Sequence, residues 1–137
     1  MSPELLLPAG DMEKLETAFQ YGADAVFAGV PAFSLRAREN DFNLDQVKAA
    51  VSRTRDLEKK IYLTINIFPH NRKLPMLIKA LKAMAELQPD GFIVADPGVI
   101  MLAKEHAPKV PLHLSVQANN VNWAEAKFWQ EQGISRI

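Results

Sequence analysis

The sequence contains no cysteine. That removes disulfide cross-links, thiol nucleophiles and thiolate metal sites from the chemistry open to it. Neither charge is in excess: 16 Lys and Arg stand against 16 Asp and Glu. Composition therefore gives no broadly basic surface for nucleic acid, although a local patch is still allowed. No apolar run approaches the ~18–20 residues needed to cross a bilayer. The opening MSPELLLPAG lacks the basic n-region and apolar stretch of a secretory leader. No membrane association and a cytoplasmic location are expected. Low-complexity tracts and long linkers are missing as well. What is present, with 48% hydrophobic residues in a length of 137, is the composition of an ordinary globular unit.

A short apolar run, a polar helix-like stretch and a Gly or Pro recur along the chain. Strands are expected at 4–7, 24–28, 61–67, 91–95 and 112–116, with a sixth starting at 134. Helices are expected between them, at 42–58, 74–87, 98–106 and 122–132 and, first of all, between Asp11 and Gly22. Asp11 and Asn122 stand where helix N-caps belong, and Gly22 and Gly133 where helices stop. Strand alternating with helix implies a parallel sheet with right-handed crossovers. A doubly wound nucleotide binder usually carries G-x-G-x-x-G after its first strand, and the turn here reads PAGDMEK. A complete (β/α)8 barrel needs ~250 residues. The expected fold is α/β: a partial (β/α)8 TIM-type barrel of about five βα units plus the start of a sixth strand. Residues 1–137 are then expected to form the truncated N-terminal barrel domain of a longer protein.

Such folds bind ligands at the carboxyl ends of the strands. That rule collects Arg36 and Arg38 after the second strand, Asn66 and His70 after the third, Asp96 after the fourth, and Gln117 and Asn119 after the fifth. Arg36 and Arg38 point the same way on an extended segment and suit a carboxylate or phosphate. They also read as a solvated loop paired with Glu39 or Asp41. His70, with Asn66 beside it, is a candidate general acid or base, or a loop histidine bonded to backbone. Gln117 and Asn119 carry amides that both donate and accept, as reading a polar ligand requires. Asp96 is either a ligand-site carboxylate or the cap of a short helix. His106 and His113 read as structural. No histidine pair has metal-ligand spacing, so no metal site is expected. Phe128 and Trp129 are expected to pack against the sheet or a partner.

The segments ELLLPAG, YGADAVFAG, SLRAREN with DFN, NIFPHN, ADPGVIMLAKEH and LHLSVQANNVNWAEAKFWQEQG are distinctive in combination. They resemble the peptidase U32 (collagenase-like protease) family over nearly the whole chain. The similarity is greatest to the branch linked to hydroxylation of the tRNA wobble uridine to 5-hydroxyuridine. The resemblance implies a barrel-like catalytic domain followed by further sequence. That later sequence holds the family's peptidase signature and, in related hydroxylation proteins, the cysteines for an iron–sulfur cluster. It also implies tRNA as a partner and prephenate as a co-substrate, a dicarboxylate that would suit Arg36 and Arg38. No cofactor is expected on this part of the chain.

The residues themselves show no activated nucleophile, metal pair or carboxylate dyad, so RNA modification ranks above proteolysis. A non-catalytic binding or assembly module is the third reading. Lys59-Lys60, Arg72-Lys73, Lys79 and Lys82 are either part of an RNA path or solvated faces. An unfinished ring leaves its first and last strands without neighbours. Self-association through those edges, and no turnover by the 137 residues alone, are expected.

Overall fold

The computed structural model describes residues 3–35 and 42–137. Among them, six strands form one parallel sheet in chain order: β1 (Leu6–Pro8), β2 (Ala25–Gly29), β3 (Lys60–Ile65), β4 (Gly91–Val94), β5 (Leu112–Leu114) and β6 (Ile134–Arg136). The crossovers carry α1 (Met12–Gln20), α2 (Leu44–Asp56), α3 (Leu74–Glu86), α4 (Pro97–His106) and α5 (Trp123–Glu131). Every strand pairs only with its neighbours in the chain. A barrel wall has this order, whereas a doubly wound sheet reverses direction partway. The partial barrel expected from the sequence is the fold observed.

Local chemistry sets where the helices start. Asp11, Asn43, Asp96 and Asn122 each accept a first-turn backbone N–H on a side-chain oxygen, at 2.7, 2.9, 2.9 and 3.0 Å. Each thereby satisfies a donor that has no intrahelical partner. At Asn43 the bond is reciprocated, since the N–H of Asn43 donates to the Gln46 side chain at 2.7 Å. Gly22 and Gly133 follow α1 and α5 at φ of 89° and 91°, the left-handed conformation that glycine adopts without a Cβ clash. Helices α2 and α3 end without glycine. Glu58 and Gln88 take the left-handed positions instead, at φ of 54° and 57°.

Alternation along the strands sorts side chains to two faces. Val26, Ala28, Ile61, Leu63, Ile65, Phe92, Val94 and Leu112 belong to one buried layer with Leu15 of α1, Val47 of α2, Leu77 and Leu81 of α3, and Val99 of α4. Each such large side chain contributes about 1.5–3 kcal/mol by leaving water. The residues between them, Phe27, Gly29, Tyr62, Thr64, Ile93 and His113, face the concave side.

Two differences from the sequence reading stand out. The strand expected at 112–116 stops at Leu114, and Val116–Ala118 forms a short 3₁₀ turn. Another such turn, Asn71–Lys73, precedes α3. The second difference concerns α5, which buries no residue completely. Trp129 is half-buried against the core, but Phe128 is 53% exposed, so only one of the pair packs on the sheet. The rings meet edge to face at 5.1 Å. No strand lies beyond β6 among the described residues to cover that side of α5. No helix among them is long and apolar enough to cross a membrane.

Candidate functional site

The concave face holds a cavity of about 530 Å³ at the carboxyl ends of the strands. Phe27 and Gly29 of β2, Thr64 of β3 and Ile93 of β4 reach it by alternation. Asn66 enters from just past β3, and Ser115 and Gln117 from just past β5. Pro8 with the Ala9-Gly10 turn closes one side, and Ser34 and Leu35 another. Lys14 reaches the cavity from α1 and pairs with Asp11, Nζ to Oδ2 at 2.8 Å. That hydrogen bond holds the Asp11 carboxyl below the usual carboxylate range.

Thr64 lies in register between Gly29 and Ile93. Its carbonyl accepts the Val30 N–H at 3.1 Å. Its side chain has no such outlet: the residue is 7% exposed, and Oγ1 is buried without a hydrogen-bond partner among the described residues. Asn66 Oδ1 accepts the Leu35 N–H at 3.1 Å, which ties the loop after β2 to the end of β3. The amide NH₂ of Asn66 is then the group left to present. Ser115 Oγ accepts the Gln117 N–H at 3.3 Å and opens the turn that carries Gln117 to the rim.

Of the residues expected at the site, Asn66 and Gln117 are brought together on this cavity. His70 is not. It is exposed and sits in a separate shallow depression with Pro69, Asn71, Arg72 and Lys73, where it opens the turn before α3. Asn119 ends the 116–118 turn in the left-handed conformation, φ 55°, and is exposed outside the cavity lining. Asp96 lies outside that lining too and accepts the Val99 N–H as the cap of α4. Arg36 and Arg38 lie outside the described residues. Sequence reasoning passed over Thr64, Ser115 and Phe27; the alternation of Thr64 with Asn66 in one strand was the available signal.

The opposite end of the half-barrel carries an ionic clasp. Glu4, ahead of β1, accepts hydrogen bonds from Arg136 of β6 at 2.7 Å, from the Tyr62 hydroxyl at 2.9 Å and from Lys60 at 3.2 Å. Arg136 also donates to the Tyr62 hydroxyl at 3.1 Å and lies 5.1 Å from that ring's centre. The Tyr62 and His113 rings meet edge to face at 4.7 Å. Lys59 and Lys60 belong to this end, with Lys59 at 4.0 Å from Asp24. They share no surface with Arg72 and Lys73 at the other end of β3, so the basic residues do not form one path.

Burial pushes the His113 imidazole below its ordinary 6.5, and the charge of Arg136 adds to that. Burial pushes the Glu4 carboxyl up, but the donors Arg136, Tyr62 and Lys60 together hold it below its ordinary 4.5. In both cases the unfolded chain binds protons that the folded chain resists. Stability contributed by each group is present above the unfolded value and lost as pH falls. Urea unfolding midpoints are therefore expected to drop in two stages, the first below pH 6.5 and the second below 4.5. His113→Gln should flatten the first stage and Glu4→Gln the second. Midpoints that stay level from about pH 7 to about pH 5 would contradict the assignment to His113.

Comparison with known proteins places this geometry. The family model described as peptidase family U32 matches residues 10–137. The tRNA hydroxylation protein P of Escherichia coli K12 is 52% identical over 135 residues, covering 98% of this chain and 30% of that protein. A collagenase of Porphyromonas gingivalis is 30% identical over 127 residues, covering 92% of this chain and 30% of that protein. The chain thus spans about 30% of the length of these relatives. A solved U32 peptidase superposes with a TM-score of 0.74 at 17% identity, over 97% of this chain and 56% of that one. Its likeness concerns the fold alone. By its sequence match across nearly its whole length, the chain belongs to peptidase family U32.

Proposed function

We propose that the chain forms the amino-terminal part of the barrel of a tRNA-modifying enzyme that acts in hydroxylation of the wobble uridine to 5-hydroxyuridine. The observation that carries this reading is the 52% identity, over 98% of the chain, to a relative named for tRNA hydroxylation. The surface charge supports it. Between Glu58 and Glu86 the sequence has no acidic residue. Arg72, Lys73, Lys79 and Lys82 are exposed there and have no ion pair among the described residues. Phe68, 54% exposed, precedes them in the segment after β3. Cations without an acidic partner and an exposed aromatic ring suit a phosphate backbone with an unstacked base.

Prephenate as a co-substrate belongs to the same proposal. An iron–sulfur cluster in the whole protein would draw its cysteine ligands from outside these 137 residues, which contain none. The test is nucleoside mass spectrometry of tRNA from a strain lacking the gene. Loss of 5-hydroxyuridine, restored by the intact gene, is expected; unchanged levels would overturn the reading. Proteolysis is the second reading, favoured by the 30% identity to the collagenase. Gelatin cleavage by the purified protein, with tRNA modification intact in the deletion strain, would put it first.

A further inference from the structure

We infer that the cavity at the strand ends receives a single uracil-type ring swung out of its RNA, with Thr64 and Asn66 reading the carbonyl edge. The inference rests on the tRNA reading and extends it to the recognised group. The groups presented to the cavity can each donate. Thr64 holds a hydroxyl, 93% buried by its 7% exposure, with no partner among the described residues. The carbonyl of Asn66 is committed to Leu35, which leaves its NH₂. Ser115 Oγ accepts from Gln117, which leaves its O–H to donate. Among the described residues, no Asp or Glu lines the cavity. Phe27 and Ile93 supply apolar wall on either side of the β3 residues.

A site with apolar walls and donors along one edge selects a flat ring that carries acceptor oxygens. Uracil offers O2 and O4 there. Cytosine replaces O4 with an amino group, which would point a donor at the Asn66 NH₂. The volume, about 530 Å³, lies within the usual range for small-molecule sites. A base can reach such a depth only by leaving the stack, and a loop nucleotide does so at little cost. A buried hydroxyl without a protein partner favours a ligand that brings an acceptor to it.

The test uses the ¹⁵N-labelled chain, titrated with uridine and with cytidine in separate arms and followed by amide shifts. Uridine is expected to move Thr64, Asn66 and Ser115, with cytidine bound more weakly. Thr64→Val should weaken uridine binding about 5–10-fold, the loss of one hydrogen bond. The same substitution should raise the melting temperature by about 3–5 °C, since it deletes an unpartnered buried hydroxyl. Thr64→Ser should keep the binding. Equal affinity for the two nucleosides, no shift at these amides, unaltered uridine binding by Thr64→Val, or a lowered melting temperature in that variant would each overturn the inference. Absent uridine binding alongside lost 5-hydroxyuridine in the deletion strain would leave the tRNA reading standing and remove only this one.

Discussion

Replacing Phe92 with alanine is expected to cost about 3–5 kcal/mol of folding stability. Phe92 is fully buried, at 0% exposure, in the layer between sheet and helices. It sits mid-sheet, in register with Leu63 on one side and Leu112 on the other. Neither neighbour can collapse into the space without leaving its own ladder position. The loss then includes both the transfer energy of the ring and the cavity it leaves. A domain of this size is stabilised by about 5–15 kcal/mol in all, so the variant should lose a large part of that margin. Urea denaturation followed by circular dichroism measures this. A change below about 1 kcal/mol, the scale of a surface substitution, would show that the helix-side layer is not the core.

One residue earlier, the opposite error in volume should also be severe. Gly91 faces the concave side, where a Cβ would come within 3.1 Å of His113 Cε1 and 3.2 Å of the Pro111 carbonyl. The ring of His113 is held there by Tyr62, so it cannot swing clear without breaking that contact. Gly91→Val is expected to destabilise by about 1–3 kcal/mol through overpacking, or more where the backbone must move. His113→Ala in the same chain should recover part of the loss, because only the ring contact is relieved and the Pro111 carbonyl stays. A double-mutant cycle reads that coupling. Additive effects would mean that the ring is not what meets the new side chain.

The pair also shows what could be read without coordinates. Helix boundaries were legible where a single residue decides them. Asp11 and Asn122 cap α1 and α5, and Gly22 and Gly133 end them, through local chemistry that needs no third dimension. The ends of α2 and α3 were less so, because Glu58 and Gln88 do the work of glycine. Strand faces were hidden. The run Ile61-Tyr62-Leu63-Thr64-Ile65 is buried throughout, so the alternation that separates core from cavity is erased. The contact between Glu4 and Arg136 joins residues 132 positions apart, and no local pattern announces it. The rule that ligands gather at strand ends picked out Asn66 and Gln117, which line the cavity. It also collected His70, because sequence position says which end of the sheet a loop leaves and not how far it travels before turning back.

The sheet order has a bearing on synthesis. Since each strand ladders only onto the one made just before it, a βα unit emerging from the ribosome finds its partner already in place. No strand waits for a segment made later, which allows stepwise docking as the polypeptide lengthens. The salt link from Arg136 back to Glu4 is the exception: it cannot form until β6 has appeared, and so it clasps five strands laid down before it.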